Sequence, residues 1–165
     1  MTTPARSRCR HARFGTVKLI FTKGSGKHDR LLIETEAGPR PLIDCPKQGI
    51  IPHDMVHWAV EAEVAAAGFL RLIATGGDSG QRGALGIAPA ESVERLVEMF
   101  QGEGWSATVL PEAEFIALYL ITCQDRGDTP LPITGALLSA IRARIADVSA
   151  QWAALPVGGS LALTL

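Results

Sequence analysis

Strand-like patterns lie at the two ends of this chain, and the long middle reads as helix. TVKLIFT (16–22) and RLLIETE (30–36) are rich in β-branched and apolar residues in loose alternation, and KGSGK (23–27) between them is a glycine-rich turn. SLALTL (160–165) alternates apolar and polar residues at the other end. Strand and helix do not alternate, so a doubly wound parallel sheet is excluded. The order predicts an α+β fold. A small antiparallel sheet, built from the N-terminal hairpin and the C-terminal strand, packs with about four helices on one face.

The interior supplies those helices. Pro52 stands where helices begin, with Asp54 in the first turn, and the pattern predicts a helix from 52 to about 67, ending near Gly68. PAESVERLVEMFQG places Val93, Leu96, Val97 and Phe100 on one face, with Gly102 as the stop. Pro111 opens a third helix that ends near Gly127, and Pro132 opens a fourth reaching about Leu155. PLIDCP reads as a short extended piece. GFLRLIATGG is either a buried strand or a further helical turn, and WSATVL is a strand or a connector.

With 165 residues the chain is long enough for one domain, residues 14–165, behind a basic, flexible arm at 1–13 carrying Arg6, Arg8, Arg10 and Arg13. A net charge of −1 makes no field for nucleic acid or acidic membranes, and aromatics at 5% make no base-stacking surface. No apolar run approaches a membrane span, and no secretory h-region opens the chain. Cys9, Cys45 and Cys123 are odd in number and widely spaced, which fits a reducing, cytoplasmic setting. Two partner classes stay open: protein–protein interaction or self-association through the alanine-rich 59–67 surface or the long 132–155 helix, and nucleic acid on the basic arm 1–13.

Two familiar-looking motifs dissolve on inspection. GSGK lacks the P-loop pattern, because Phe21 stands in place of the first glycine and His28 in place of the hydroxyl residue. It reads as a hairpin turn with Gly24 and Gly26 at positive φ. GGDSG, in the glycine-rich segment 76–86, places Gly80 directly after Ser79 and so misses the nucleophile-elbow spacing. That segment reads as a mobile loop or lid.

The chemistry concentrates in IPHDMVHWAVEAE (51–63). His53, His57 and Glu61 advance by only about 40° per four residues of helix, so they form one stripe. Val56, Val60 and Val64 run beside it. Two imidazoles at i and i+4 converge on one point, so His53 and His57 are candidate ligands of a divalent metal such as zinc. Glu61 either joins them or accepts the second N–H of His57. Cys45, eight residues before His53, is a secondary candidate ligand. The plain structural alternative is a helix terminus engaged by Asp54 and an i, i+4 pair between His57 and Glu61.

His53-Asp54-Met55-Val56-His57 resembles the His-Glu-x-x-His helix of zinc metallopeptidases. That resemblance implies His53 and His57 as ligands and Asp54 as general base. Aspartate is one methylene shorter than the family's glutamate. No third ligand follows at the spacing those families use, leaving Glu91 and Glu94 as available acids. A longer stretch, PKQGIIPHDMVHWAVEAE with GFLRLIATGG, is similar to a group of small bacterial proteins of unassigned function that share a Pro-His-Asp-x-x-His-x-x-x-Glu helix. It implies no activity, so whether the chain is an enzyme stays open.

Overall fold

The computed structural model describes residues 15–64, 68–74 and 88–165. The basic arm with Cys9, residues 65–67 and the segment 76–86 with Ser79 lie outside the described residues.

Five strands, β1 (Lys18–Thr22), β2 (His28–Thr35), β3 (Gly38–Pro39), β4 (Ile43–Pro46) and β5 (Ser160–Thr164), form one antiparallel sheet. β1 lies between β2 and β5, as the end-to-end pattern requires, with Leu19 opposite both Ile33 and Leu163. β3 and β4 both pair with β2. The register sorts the side chains onto two faces. Leu19, Phe21, Leu31, Ile33, Cys45 and Leu163 are buried on one, whereas Lys18 and Glu34 form an ion pair at 3.2 Å on the other.

The hairpin turn is present, but neither Gly24 nor Gly26 has positive φ, which corrects that expectation. Gly24 is needed for space instead: a Cβ there would fall 2.0 Å from the His28 carbonyl oxygen.

Among the described residues there are five helices: α1 (His53–Glu61), α2 (Phe69–Ala74), α3 (Ala88–Ser106), α4 (Glu112–Arg126) and α5 (Gly135–Ala154). Eight of the nine residues of α1 are buried, so it is a central core helix rather than an amphipathic surface one. It contacts α3 and α5, and its Trp58 donates Nε1–H to the Thr164 carbonyl of β5 at 3.0 Å. The Arg144 guanidinium of α5 covers the Trp58 ring at 5.1 Å.

Three boundaries differ from expectation, each for a tertiary or capping reason. The helix expected to run to about 67 ends at Glu61. Glu63 N–H turns back to the Val60 carbonyl, and the Glu61 side chain receives the next helix. α3 runs through Gly102 to Ser106, because Glu103 is tied to Arg142 and to the Leu110 N–H. Those contacts outweigh the poor helix propensity of glycine, about 1 kcal/mol. α5 starts at Gly135 rather than Pro132, since Thr134 accepts the Leu137 N–H at 3.2 Å as its N-cap.

Cys45 and Cys123 are buried and form no disulfide, as expected of small apolar side chains. Ala59 is fully buried, so the alanine-rich surface is core there. Large exposed apolar side chains lie on α4 at Leu118, Leu120 and Ile121. No helix among the described residues is long and apolar enough to cross a membrane.

Candidate metal centre

Helix geometry brings the histidines together. Four residues apart on α1, their rings meet edge to face at 4.6 Å, and the two Nε2 atoms stand 3.1 Å apart. His57 is almost fully buried, and His53 retains 23% of its side-chain exposure in the first turn.

The third group comes from α3, which packs against α1. Glu94 Oε2 lies 3.0 Å from His57 Nε2, and Glu94 Oε1 lies 3.7 Å from His53 Nε2. His53, His57 and Glu94 each offer one ligand atom within 4.8 Å of the others. Two ligands about 2.0–2.1 Å from a tetrahedral zinc ion would stand about 3.3 Å apart. The observed separations bracket that value. Gln101, seven residues after Glu94 on α3, lines the same cleft as His53 and donates to Gln48 Oε1 at 3.1 Å.

Glu61 is placed differently from the other two members of the stripe. Its Oε1 faces His57 Nδ1 at 3.3 Å, on the ring edge away from Glu94. The same carboxylate accepts the Leu70 N–H at 3.0 Å and the Arg71 N–H at 3.1 Å, capping α2. Of the two roles the stripe allowed for Glu61, the geometry matches the acceptor of the second His57 N–H. This outer carboxylate holds the Nδ1 proton, so Nε2 is the nitrogen that offers a lone pair once His57 gives up its second proton.

Asp54 is buried, with Oδ2 3.7 Å from the Cys45 sulfur. Both line a cleft of about 320 Å³ with Pro46, Gln48, His53 and Gln101. The cleft gives the His53 end of the cluster an open side. Cys45 therefore meets Asp54 rather than the His–His–Glu cluster.

Electrostatics divide the two imidazoles. Burial pushes the His57 pKa down, but hydrogen bonds to the Glu61 and Glu94 carboxylates outweigh it and raise the pKa to about 9. Burial and the neighbouring His57 hold His53 below its ordinary value. Burial raises Glu94, yet the His57 hydrogen bond and the charges around it leave its pKa lowered. At neutral pH the metal-free cluster is thus a charged His57, a neutral His53 and an ionised Glu94. The proton on His57 Nε2 points to where a metal ion would bond.

Glu94 is the residue that sequence spacing alone does not pick out. Its signal was there in part: Glu94 and Gln101 stand seven apart, flanking the Val93–Leu96–Val97–Phe100 face. Only the packing of α3 on α1 shows which acid meets the histidines. Comparison with protein-family models, with curated proteins and with solved structures finds no match to this chain.

Proposed function

We propose that this protein binds a divalent transition-metal ion of the zinc class through His53, His57 and Glu94. The observation that carries the reading is the convergence of two imidazole Nε2 atoms and a carboxylate from two packed helices on one point. Glu61 on the second nitrogen of His57 supports it, since metal-bound histidines regularly donate their other N–H to a carboxylate. Two nitrogens and one oxygen suit zinc and its neighbours rather than calcium or magnesium.

Three protein ligands beside a cleft are the pattern of catalytic sites, which leave a position for water or substrate. An ion held there would supply Lewis acidity to a group entering the cleft. His53 and Asp54 are the residues of the cluster's neighbourhood that such a group would meet. The implied kinship with the bacterial Pro-His-Asp-x-x-His-x-x-x-Glu proteins belongs to this reading.

The test is metal content after zinc loading and dialysis, by elemental mass spectrometry. The wild-type chain is expected to hold close to one equivalent. His53→Ala and Glu94→Gln alter partly exposed side chains, so both are expected to fold and to lose most of it. Wild-type retention below about a tenth of an equivalent, or unchanged retention in both variants, would sink the assignment.

A further inference from the structure

Among the described residues, Glu61 is the carboxylate that touches both His57 and the first N–H groups of α2. It holds the imidazole on one side and Leu70 and Arg71 on the other. The grip is reinforced from the backbone, because Arg71 Nη2 donates to the Glu61 carbonyl at 3.1 Å. It also depends on Gly68. A Cβ at that position would lie 2.3 Å from Glu61 Cδ and 2.6 Å from Oε1, so any larger residue there would push the carboxylate from its place.

Helix α2 has six residues. A helix that short has no stability of its own in water, so its seating depends on what caps and packs it. Phe69 packs at 5.7 Å from the His57 ring, adding an apolar contact to the same imidazole. His57 is thus set by Glu61 and Phe69 from the α2 side and by Glu94 and His53 from the ligand side.

From this arrangement, and resting on the metal-binding reading above, we propose that metal occupancy and the seating of α2 are one linked equilibrium. Glu61 and Gly68 are its positioning residues. An ion on Nε2 pins the His57 ring in a single orientation. A pinned ring fixes the Glu61 carboxylate, and a fixed carboxylate holds the Leu70 and Arg71 N–H groups. Linkage is reciprocal, so the factor by which bound metal favours the seated α2 is also the factor by which a seated α2 favours metal. Neither Gly68 nor α2 supplies a ligand.

The experiment measures two quantities on the full chain: zinc affinity by chelator competition, and backbone amide exchange at Leu70 and Arg71 with and without zinc. Wild type is expected to show slower exchange at both amides when zinc is bound. Gly68→Ala displaces the Glu61 carboxylate and is expected to weaken zinc binding about 10- to 100-fold, the range found for lost outer-shell partners. Glu61→Gln preserves size but sets an NH₂ group against at least one of the three donors. It is expected to weaken binding similarly and to abolish the zinc-dependent protection. If Gly68→Ala does not fold, Glu61→Gln alone decides. Wild type that takes zinc with unchanged α2 exchange overturns the linkage and leaves the metal site standing, as does Glu61→Gln with wild-type affinity. A wild-type chain that takes no zinc overturns both.

Discussion

Zinc affinity should climb with pH over a range where ordinary histidines have already finished titrating. In the metal-free protein the His57 Nε2 proton lies between Glu94 Oε2 at 3.0 Å and His53 Nε2 at 3.1 Å, and its pKa is raised to about 9. A ligand must present a lone pair, so that proton leaves when metal binds. His53 is held below its usual value and Glu94 is held low, so neither releases a second proton near neutrality. One proton per metal means about tenfold in affinity per pH unit below the His57 pKa, hence about 50-fold from about pH 7 to about pH 9. Two unperturbed imidazoles would give an almost flat profile there. Isothermal titration calorimetry in buffers of different ionisation enthalpy reads the proton count directly, and repeating it across pH reads the slope. A flat affinity above about pH 7, or release of no proton, would refute the assignment of the charge to His57.

The same shifts fix how the metal-free chain responds to pH. His57, raised from 6.5 to about 9, adds stability that is complete below pH 6.5 and lost as pH rises through about 9, on the order of 3 kcal/mol. His53 and Glu94 are both lowered, so they remove stability as pH falls below their ordinary values of 6.5 and 4.5. Thermal melts in chelator should therefore peak near pH 6.5 and decline towards about pH 9; a melting temperature still rising at the alkaline end would contradict this. Away from the cluster, Glu103→Ala removes the acceptor of both Arg142 and the Leu110 N–H, and should cost about 3 kcal/mol in denaturant unfolding. A loss below about 1 kcal/mol would mean that pair is solvent-screened.

The fold class was legible because it rests on periodicity at the two ends of the chain. The pairing of β5 with β1 needs no more than strands at both termini and an apolar alternation that matches. Boundaries were less legible wherever a single tertiary contact decides them. Gly102 reads as a stop until Glu103 is seen gripping Arg142 one residue later. Pro132 reads as a start, although the Thr134 cap sets the true beginning. At the site, His53 and His57 could be paired from spacing alone, since the helix itself brings them together. Glu94 lies 37 residues beyond His57 in the sequence, and only the α1–α3 packing brings it there. Glu61 shares the stripe with the histidines, but the stripe does not show that α2 folds back over it.

The burial of α1 changes how its polar residues are weighed. On a surface helix, His57 and Glu61 would be an ordinary i, i+4 pair contributing a few tenths of a kcal/mol. Here both are buried, at 2% and 0% exposure, in a helix whose remaining neighbours are core. Removing such groups from water costs several kcal/mol per ion, and apolar side chains of similar volume would fill the same space at no such cost. Part of the cost is offset by structure, because Glu61 caps α2 and no apolar residue can do that. That role accounts for Glu61 but not for His57, whose Nε2 edge, among the described residues, faces His53 and Glu94. A like-for-like imidazole pair 3.1 Å apart, one charged and one kept neutral, is a poor way to stabilise a core. The proposed metal site accounts for it, with the His57 proton standing in the metal-free chain where the ion would bind.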